Sequence, residues 1–320
     1  MKTISIVIFS ILFLSFNSVF CQDSIKTDTT KVTKTYEIEL FDGSVFIGTI
    51  SQKDSSTLII STFSIPKIEV SAYKIKSMKE LKPENFNKGS YWISNPMSTR
   101  YFFAPSAINL HKNEGYYQNT YLFLNSLNLG ITDFFSIGAG IEILSTFGSI
   151  TSGLGLSPLY YITPKVGFKV SNKLHLGAGV IYANVGLSSS STNNILLGYG
   201  LATYGSLENN LTVGVGSGFV SGEYVNKPTF TFSGMTRASK RIALITENWI
   251  IPFQNKEYFY SYTPTYKSWY ITSYKYDVLF SYGMRFIGNK ISVDLGFVNN
   301  MDIVKSIFIG IPYVDFVVKF

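Results

Sequence analysis

The sequence predicts an all-β chain, in which a transmembrane antiparallel β-barrel of about 12 strands follows a small SH3-like β-domain. Three observations lead there: the composition, a series of alternating segments beyond residue 98, and connections that alternate between short and long. Aromatic residues make up 16% of the 320 residues and charged residues only 15%, with 22 Tyr, 26 Phe and 26 Gly. Few charges and many Tyr suit a chain that faces lipid on one side.

Residues 1–21 read as a signal peptide. Lys2 opens the chain, an apolar run extends from Ile4 to Phe16, and Asn17-Ser18 breaks it before Val19-x-Cys21. Cleavage is expected before Gln22; a lipidated Cys21 is the alternative, which the bulky Phe20 disfavours. No other stretch offers the roughly 18 uninterrupted apolar residues of a membrane helix. Any crossing is therefore made by strands, and lipid forces spanning strands to close on themselves because unpaired backbone groups have no water there.

Residues 22–34 are polar and read as a flexible leader. Residues 35–81 read as a small domain of short strands, with Tyr36, Ile38 and Leu40 on one face, a turn at Asp42-Gly43, and further strands around Thr57–Ser61, Ile68–Val70 and Tyr73–Met78. The stretches "IELFDGSVFIGTISQKDSSTLIIST" and "IEVSAYKIKSM" resemble an Sm-like domain. That resemblance implies an SH3-like barrel; in an exported chain a periplasmic docking or folding module is the expected role, with no nucleic-acid partner. The net charge of +7 comes from scattered Lys and Arg rather than a basic helix, so it points to headgroups or anionic solutes.

After a linker at 82–98, residues 99–320 are expected to form the barrel. Twelve strands are predicted at Thr99–Asn109, Gln118–Leu129, Phe135–Leu144, Leu159–Val170, Leu174–Val185, Asn194–Tyr204, Leu211–Val220, Pro228–Met235, Ile242–Ile251, Thr272–Phe286, Ile291–Val298 and Phe308–Phe320. Alternation sets Phe135, Ile137, Ala139 and Ile141 against Ser136, Gly138, Gly140 and Glu142, and Val278, Phe280, Tyr282 and Met284 against Asp277, Leu279, Ser281, Gly283 and Arg285. Every second connection is turn-like: Ile131–Asp133, Ser171–Lys173, Ser206–Asn210, Arg237–Lys240 and Gly288–Lys290. Outer-membrane barrels place short turns in the periplasm and longer loops outside. The chain ends in "YVDFVVKF", where Phe320 closes an alternating strand and reads as an insertion signal. The segments "NPMSTRYFFAPSAINL" and "KNEGYYQNTYLF" resemble a Bacteroidota family of uncharacterised outer-membrane proteins, which implies a location in the outer membrane and no particular activity.

Candidate chemistry is sparse. The single Cys21 excludes a disulfide framework, and no cofactor or metal site is expected. His111 is placed in the first outer loop, and His175 on the lumenal face of the fifth strand lacks a G-x-S-x-G elbow, so no catalytic residue is assigned. Inward charges are Arg100, Glu142, Lys165, Lys169, Glu247, Asp277, Arg285, Asp294, Asp315 and Lys319; they either line a narrow channel or pair across the lumen and fill it. The expected longest outer loop, Gln254–Tyr270, carries Tyr258, Tyr260, Tyr262, Tyr266 and Trp269 as candidate binding residues, the alternative being a hairpin that extends the strands. The sequence thus predicts a non-enzymatic passive pore or transporter for small solutes. A closed structural or adhesion barrel and a lipid-modifying enzyme are the alternatives. Outer-membrane lipid, the barrel-insertion machinery and a periplasmic protein are the expected partners.

Overall fold

The computed structural model describes residues 34–54, 56–81, 86–87, 90–151, 158–188, 191–261 and 267–320. The predicted signal peptide and nearly all of the leader fall outside them. The chain divides into two units, Met1–Lys82 and Pro83–Phe320. Among the described residues no helix is long and apolar enough to cross a membrane, which says nothing of strands.

The first unit is one antiparallel sheet of β1 (Thr35–Leu40), β2 (Val45–Lys53), β3 (Thr57–Thr62), β4 (Ile68–Ser71) and β5 (Ile75–Leu81), ordered β4-β3-β2-β1-β5. Alternation in β1 and β3 buries Ile38, Leu40, Leu58 and Ile60, with Val70 from β4, as its core. The turn between β1 and β2 falls at Asp42-Gly43: Gly43 takes φ +87°, which other L residues rarely adopt, and the Asp42 carboxylate accepts the Ser44 N–H at 2.8 Å.

The second unit opens with a small pairing of β6 (Phe86–Asn87) and β7 (Ser90–Tyr91). Its main sheet comprises β8 (Gly115–Thr120), β9 (Leu124–Gly130), β10 (Phe135–Glu142), β11 (Tyr160–Lys169), β12 (Leu174–Ser188), β13 (Ser191–Gly205), β14 (Asn210–Val220), β15 (Glu223–Tyr224), β16 (Thr229–Arg237), β17 (Ile242–Ser261), β18 (Lys267–Ile287), β19 (Ile291–Asn299) and β20 (Ile311–Lys319). β15 pairs with β14 alone. The other 12 strands form a closed up-and-down barrel, sealed where β20 pairs with β8 from Asp315↔Thr120 to Lys319↔Tyr116. Two short helices, α1 (Ile143–Thr151) and α2 (Met301–Ser306), follow β10 and β19 at the end opposite the short turns.

The strand count agrees with expectation, but two expected strands are corrected. Thr99–Asn109 is not a strand of the wall, and Gln118–Leu129 is two strands, β8 and β9, separated by a turn at Tyr121–Phe123. That turn holds Tyr121 at φ 53° and Leu122 at φ 69° without glycine or asparagine, so "NTYLFLN" carries no turn signal. Anchoring comes from elsewhere: the Tyr121 N–H donates to the Val314 carbonyl at 3.1 Å and its hydroxyl to the Pro312 carbonyl at 2.7 Å. Because one strand is lost and one gained before residue 131, the five expected short turns all keep their places at one end of the barrel.

The faces separate as the alternation requires. Ile137, Ile141, Leu211, Val213, Val215, Tyr282, Met284 and Phe316 are exposed on the outside, whereas Ser136, Thr212, Ser281, Arg285 and Asp315 are buried inside. A continuous outward apolar band on a closed barrel is the surface lipid requires.

One expectation for the first unit follows from Gly48, where an added Cβ would lie 2.3 Å from the Ser61 carbonyl oxygen. Gly48→Ala should push β2 from β3 and destabilise this sheet by about 1–3 kcal/mol, read as a shift of its unfolding transition in urea.

Candidate functional site

The segment expected to open the barrel wall instead lies inside it. It enters at the short-turn end, where the Arg237 guanidinium donates to the Ile93 carbonyl at 2.9 Å and pairs with Glu208 at 2.6 Å, while Glu208 accepts the Asn95 N–H at 2.7 Å. It then turns back on itself, with the Tyr101 N–H donating to the Ala104 carbonyl and the Ser106 N–H to the Thr99 carbonyl, both at 2.9 Å. It leaves at the same end, where the Lys112 N–H meets the Asp133 carboxylate at 2.9 Å. Residues 95–110 are therefore a re-entrant loop. Met97, Arg100, Tyr101, Phe102, Ser106 and Ala107 within it are each at most 3% exposed.

Charge explains where the loop docks. Arg285 on β18, Asp294 on β19 and Asp315 on β20 sit in successive register, so two carboxylates stand directly opposite each other on the lumenal face with one wall arginine beside them. Like charges so placed repel, and the row lacks one positive charge. Arg100 of the loop supplies it: its guanidinium lies 3.3 Å from Asp294 and 3.1 Å from Asp315. Arg285 grips Asp294 through Nε at 2.7 Å and Nη2 at 2.8 Å, and also donates to the carbonyls of Met97 and Tyr101 in the loop. Asp315 further accepts from Gln118 at 2.6 Å and from the Tyr313 hydroxyl at 2.8 Å.

Glu247 on β17 holds the tip. One of its carboxylate oxygens accepts the N–H groups of Phe102, Phe103 and Ala104 at 2.8, 2.9 and 2.9 Å, and the other accepts the Trp249 indole N–H at 2.8 Å. Successive N–H groups converging on one oxygen form an anion nest, here filled by the wall. The returning limb is held by Lys165 on β11, which donates to the Ser106 and Ile108 carbonyls at 2.9 and 2.8 Å, and by Thr203, which accepts the Ala107 N–H at 2.8 Å. Tyr101 bonds Asn210 and Thr212, each at 2.7 Å. Apolar packing completes the arrangement, with Tyr101, Phe102 and Ala104 against Met235, Ala243, Ile245, Ile287 and Tyr313.

Glycine makes the room. A Cβ on Gly167 would lie 2.5 Å from the Ala107 carbonyl oxygen, so a side chain there would displace the loop backbone.

The remaining predicted residues scatter. Glu142 lies at the end of β10 opposite the short turns and caps α1, accepting the Leu144 and Ser145 N–H groups at 2.7 Å each. Lys169 is exposed at the short-turn end opposite His175 in the register. Asp277 accepts its neighbour Val278 N–H at 2.9 Å, and Lys319 pairs with Glu114 at 3.2 Å, both away from the loop. His111 belongs to the short-turn end, 3.5 Å from Asp133, rather than to an outer loop. The expected loop Gln254–Tyr270 is largely ladder, paired through Tyr258↔Tyr270 and Phe259↔Trp269 to Ser261↔Lys267, because its aromatic residues continue the strands. Tyr258 and Tyr260 thus lie on β17 and Trp269 on β18, while Tyr262 and Tyr266 fall outside the described residues. Phe320 exchanges both backbone hydrogen bonds with Gly115, at 3.0 and 2.9 Å, finishing the seam. Among the described residues no group of three His, Cys, Asp or Glu is placed to hold a metal.

The sequence signals for the loop were Pro105 and the unbroken apolar run Tyr101–Ala104, neither of which suits an interior strand with one polar face. Two outcomes follow. Gly167→Val should expel the returning limb and open the Arg100–Tyr101 bond to trypsin, at a rate about tenfold or more above wild type (~1.4 kcal/mol). Arg100→Met should destabilise the barrel by about 3–5 kcal/mol through the uncompensated carboxylate pair, and adding Asp315→Asn should recover part of that loss in urea unfolding from lipid vesicles.

No family model and no curated protein matches the chain. Solved structures similar to it include a loop L8 deletion mutant of OmpT, an outer membrane protein of Vibrio cholerae, at 10% identity and TM-score 0.32, spanning 90% of this chain and 97% of that one. Salmonella typhi OmpF in complex with daunomycin is similar at 9% identity and TM-score 0.29, spanning 90% and 96%. At these scores the likeness bears on neither mechanism nor detail, and the barrel is read from its own strand pairing.

Proposed function

We propose that this protein is an outer-membrane pore for small solutes that is shut at rest by its own re-entrant loop, residues 95–110, which serves as the gate. Its apolar outer band and closed ladder support residence in a membrane. By the parity of the turns, the short-turn end and the small N-terminal sheet are periplasmic. That sheet exposes Phe41, Phe63 and Tyr73, which suits the expected periplasmic protein partner.

The observation that carries the gate is the chemistry of its anchorage. Buried ionic contacts are an inefficient way to fill a lumen permanently, because well-packed apolar side chains of similar volume do so as well or better. Polar anchors can exchange the loop for water when it leaves. A lumenal row rich in charge and hydroxyls remains solvated after the loop withdraws, whereas an apolar row would not. We assign the protein no reaction: His175 stands at the short-turn end of β12, across the ladder from Thr203, and its Nδ1 has no hydrogen-bond partner among the described residues.

Full satisfaction of the Glu247 carboxylate favours a second reading, a permanently closed structural barrel. Planar-bilayer recording separates the two. Wild type should be closed for most of the record, and Glu247→Gln should open in discrete steps. Its amide cannot accept the Trp249 and loop N–H groups together, and each lost bond to a charged acceptor is worth about 1.5–3 kcal/mol. A wild type that conducts continuously would show that the loop does not shut the pore; a folded, silent Glu247→Gln would sustain the structural barrel.

A further inference from the structure

Lys165 projects from β11 into the lumen and is only 7% exposed. Its ammonium has two hydrogen-bond acceptors, the Ser106 and Ile108 carbonyls, and neither carries a charge. Among the described residues no carboxylate lies within ion-pair distance of it. Glu247, Asp294 and Asp315 are engaged with the tip and with the two arginines. A buried cation without a counter-charge is strongly disfavoured.

A cavity of about 90 Å³ lies between the wall and the loop beside this lysine. Its lining includes Lys165, Arg100 and Thr99, and it includes no Asp or Glu. The other polar groups around it, among them Gln118, Asn128 and Thr163, are neutral. Arg100 Nε and Thr99 Oγ1 are buried and have no hydrogen-bond partner among the described residues. The residues that line this cavity thus include an ammonium that no carboxylate balances and two that each carry a buried polar atom without a partner among the described residues. The volume accommodates several water molecules, and hence a group of carboxylate or phosphate size.

We propose that this cavity binds a small anion, a carboxylate or phosphate group, held by Lys165 Nζ, with Arg100 and Thr99 in the lining beside it. The site goes beyond the gated pore and does not require the gate to move, so its test reads binding rather than conductance. The positive charge of Arg100 is already balanced by the aspartates, which leaves Lys165 as the source of the surplus.

The refolded full chain in detergent would be titrated calorimetrically with sodium acetate, with sodium phosphate and with neutral acetamide at constant ionic strength. At least one anion should give a saturable heat while acetamide gives none. Affinity should fall about tenfold or more in Lys165→Met, about 1.4 kcal/mol, and be unchanged in Lys169→Met, which removes an exposed lysine at the short-turn end. Whichever anion binds identifies the headgroup chemistry. Absence of saturable heat with both anions, or equal binding by a folded Lys165→Met, would overturn the site. Where Lys165→Met does not fold, wild-type crystals soaked in bromide decide the question: an anomalous peak in contact with Lys165 Nζ supports the proposal, and its absence there refutes it.

Discussion

Arg285, Asp294 and Asp315 lie side by side on three neighbouring strands, and the arrangement inside the barrel follows from their unequal charges. Two carboxylates face each other across a ladder rung, and both are fully buried. One wall arginine cannot neutralise both. The missing cation comes from Arg100, which reaches the row only because residues 95–110 fold back into the lumen. Once Arg100 is docked, Arg285 reaches the Met97 and Tyr101 carbonyls, and the tip is presented to Glu247 on the neighbouring strand β17. Docking of the loop is thus a matter of charge balance first and of packing second.

That order matters for what the lumen can do. Ion pairs buried in protein contribute less net stability than their geometry suggests, since each charge must first be stripped of water. Their value lies in fixing one arrangement among many and in leaving behind a wall that water can solvate. An apolar plug of equal size would hold more tightly and leave an unwettable lumen. The same accounting exposes Lys165, a lumenal cation beside the loop whose hydrogen bonds among the described residues go to carbonyls.

The wall was legible in the sequence wherever a strand had one apolar and one polar face. β10, β14 and β18 carry their exposed and buried residues on the expected sides, and the short turns sit where the spacing put them. The seam was less legible. Tyr121 and Leu122 turn the chain with residues that favour strands, and only the Val314 and Pro312 carbonyls of β20 hold them in that conformation. The extended β17–β18 hairpin was an open alternative, because aromatic residues serve a ladder and a binding loop equally well.

By itself, then, the sequence determined the period of the wall, its two faces and the parity of its turns. All of these depend on neighbours within a few residues, and a two-residue period records them directly. Of the charges it put on the inward face, Arg100, Lys165, Glu247, Arg285, Asp294 and Asp315 are buried, whereas Glu142, Lys169 and Lys319 lie elsewhere. Only the tertiary structure decided that Arg100 belongs to a loop and not to the wall, that Glu142 caps a helix, and that Arg285 and Asp294 meet the loop rather than an open channel. Those outcomes join residues separated by as many as 215 positions. Alternation along a strand tells which side a charge faces and carries no information about what comes to meet it there.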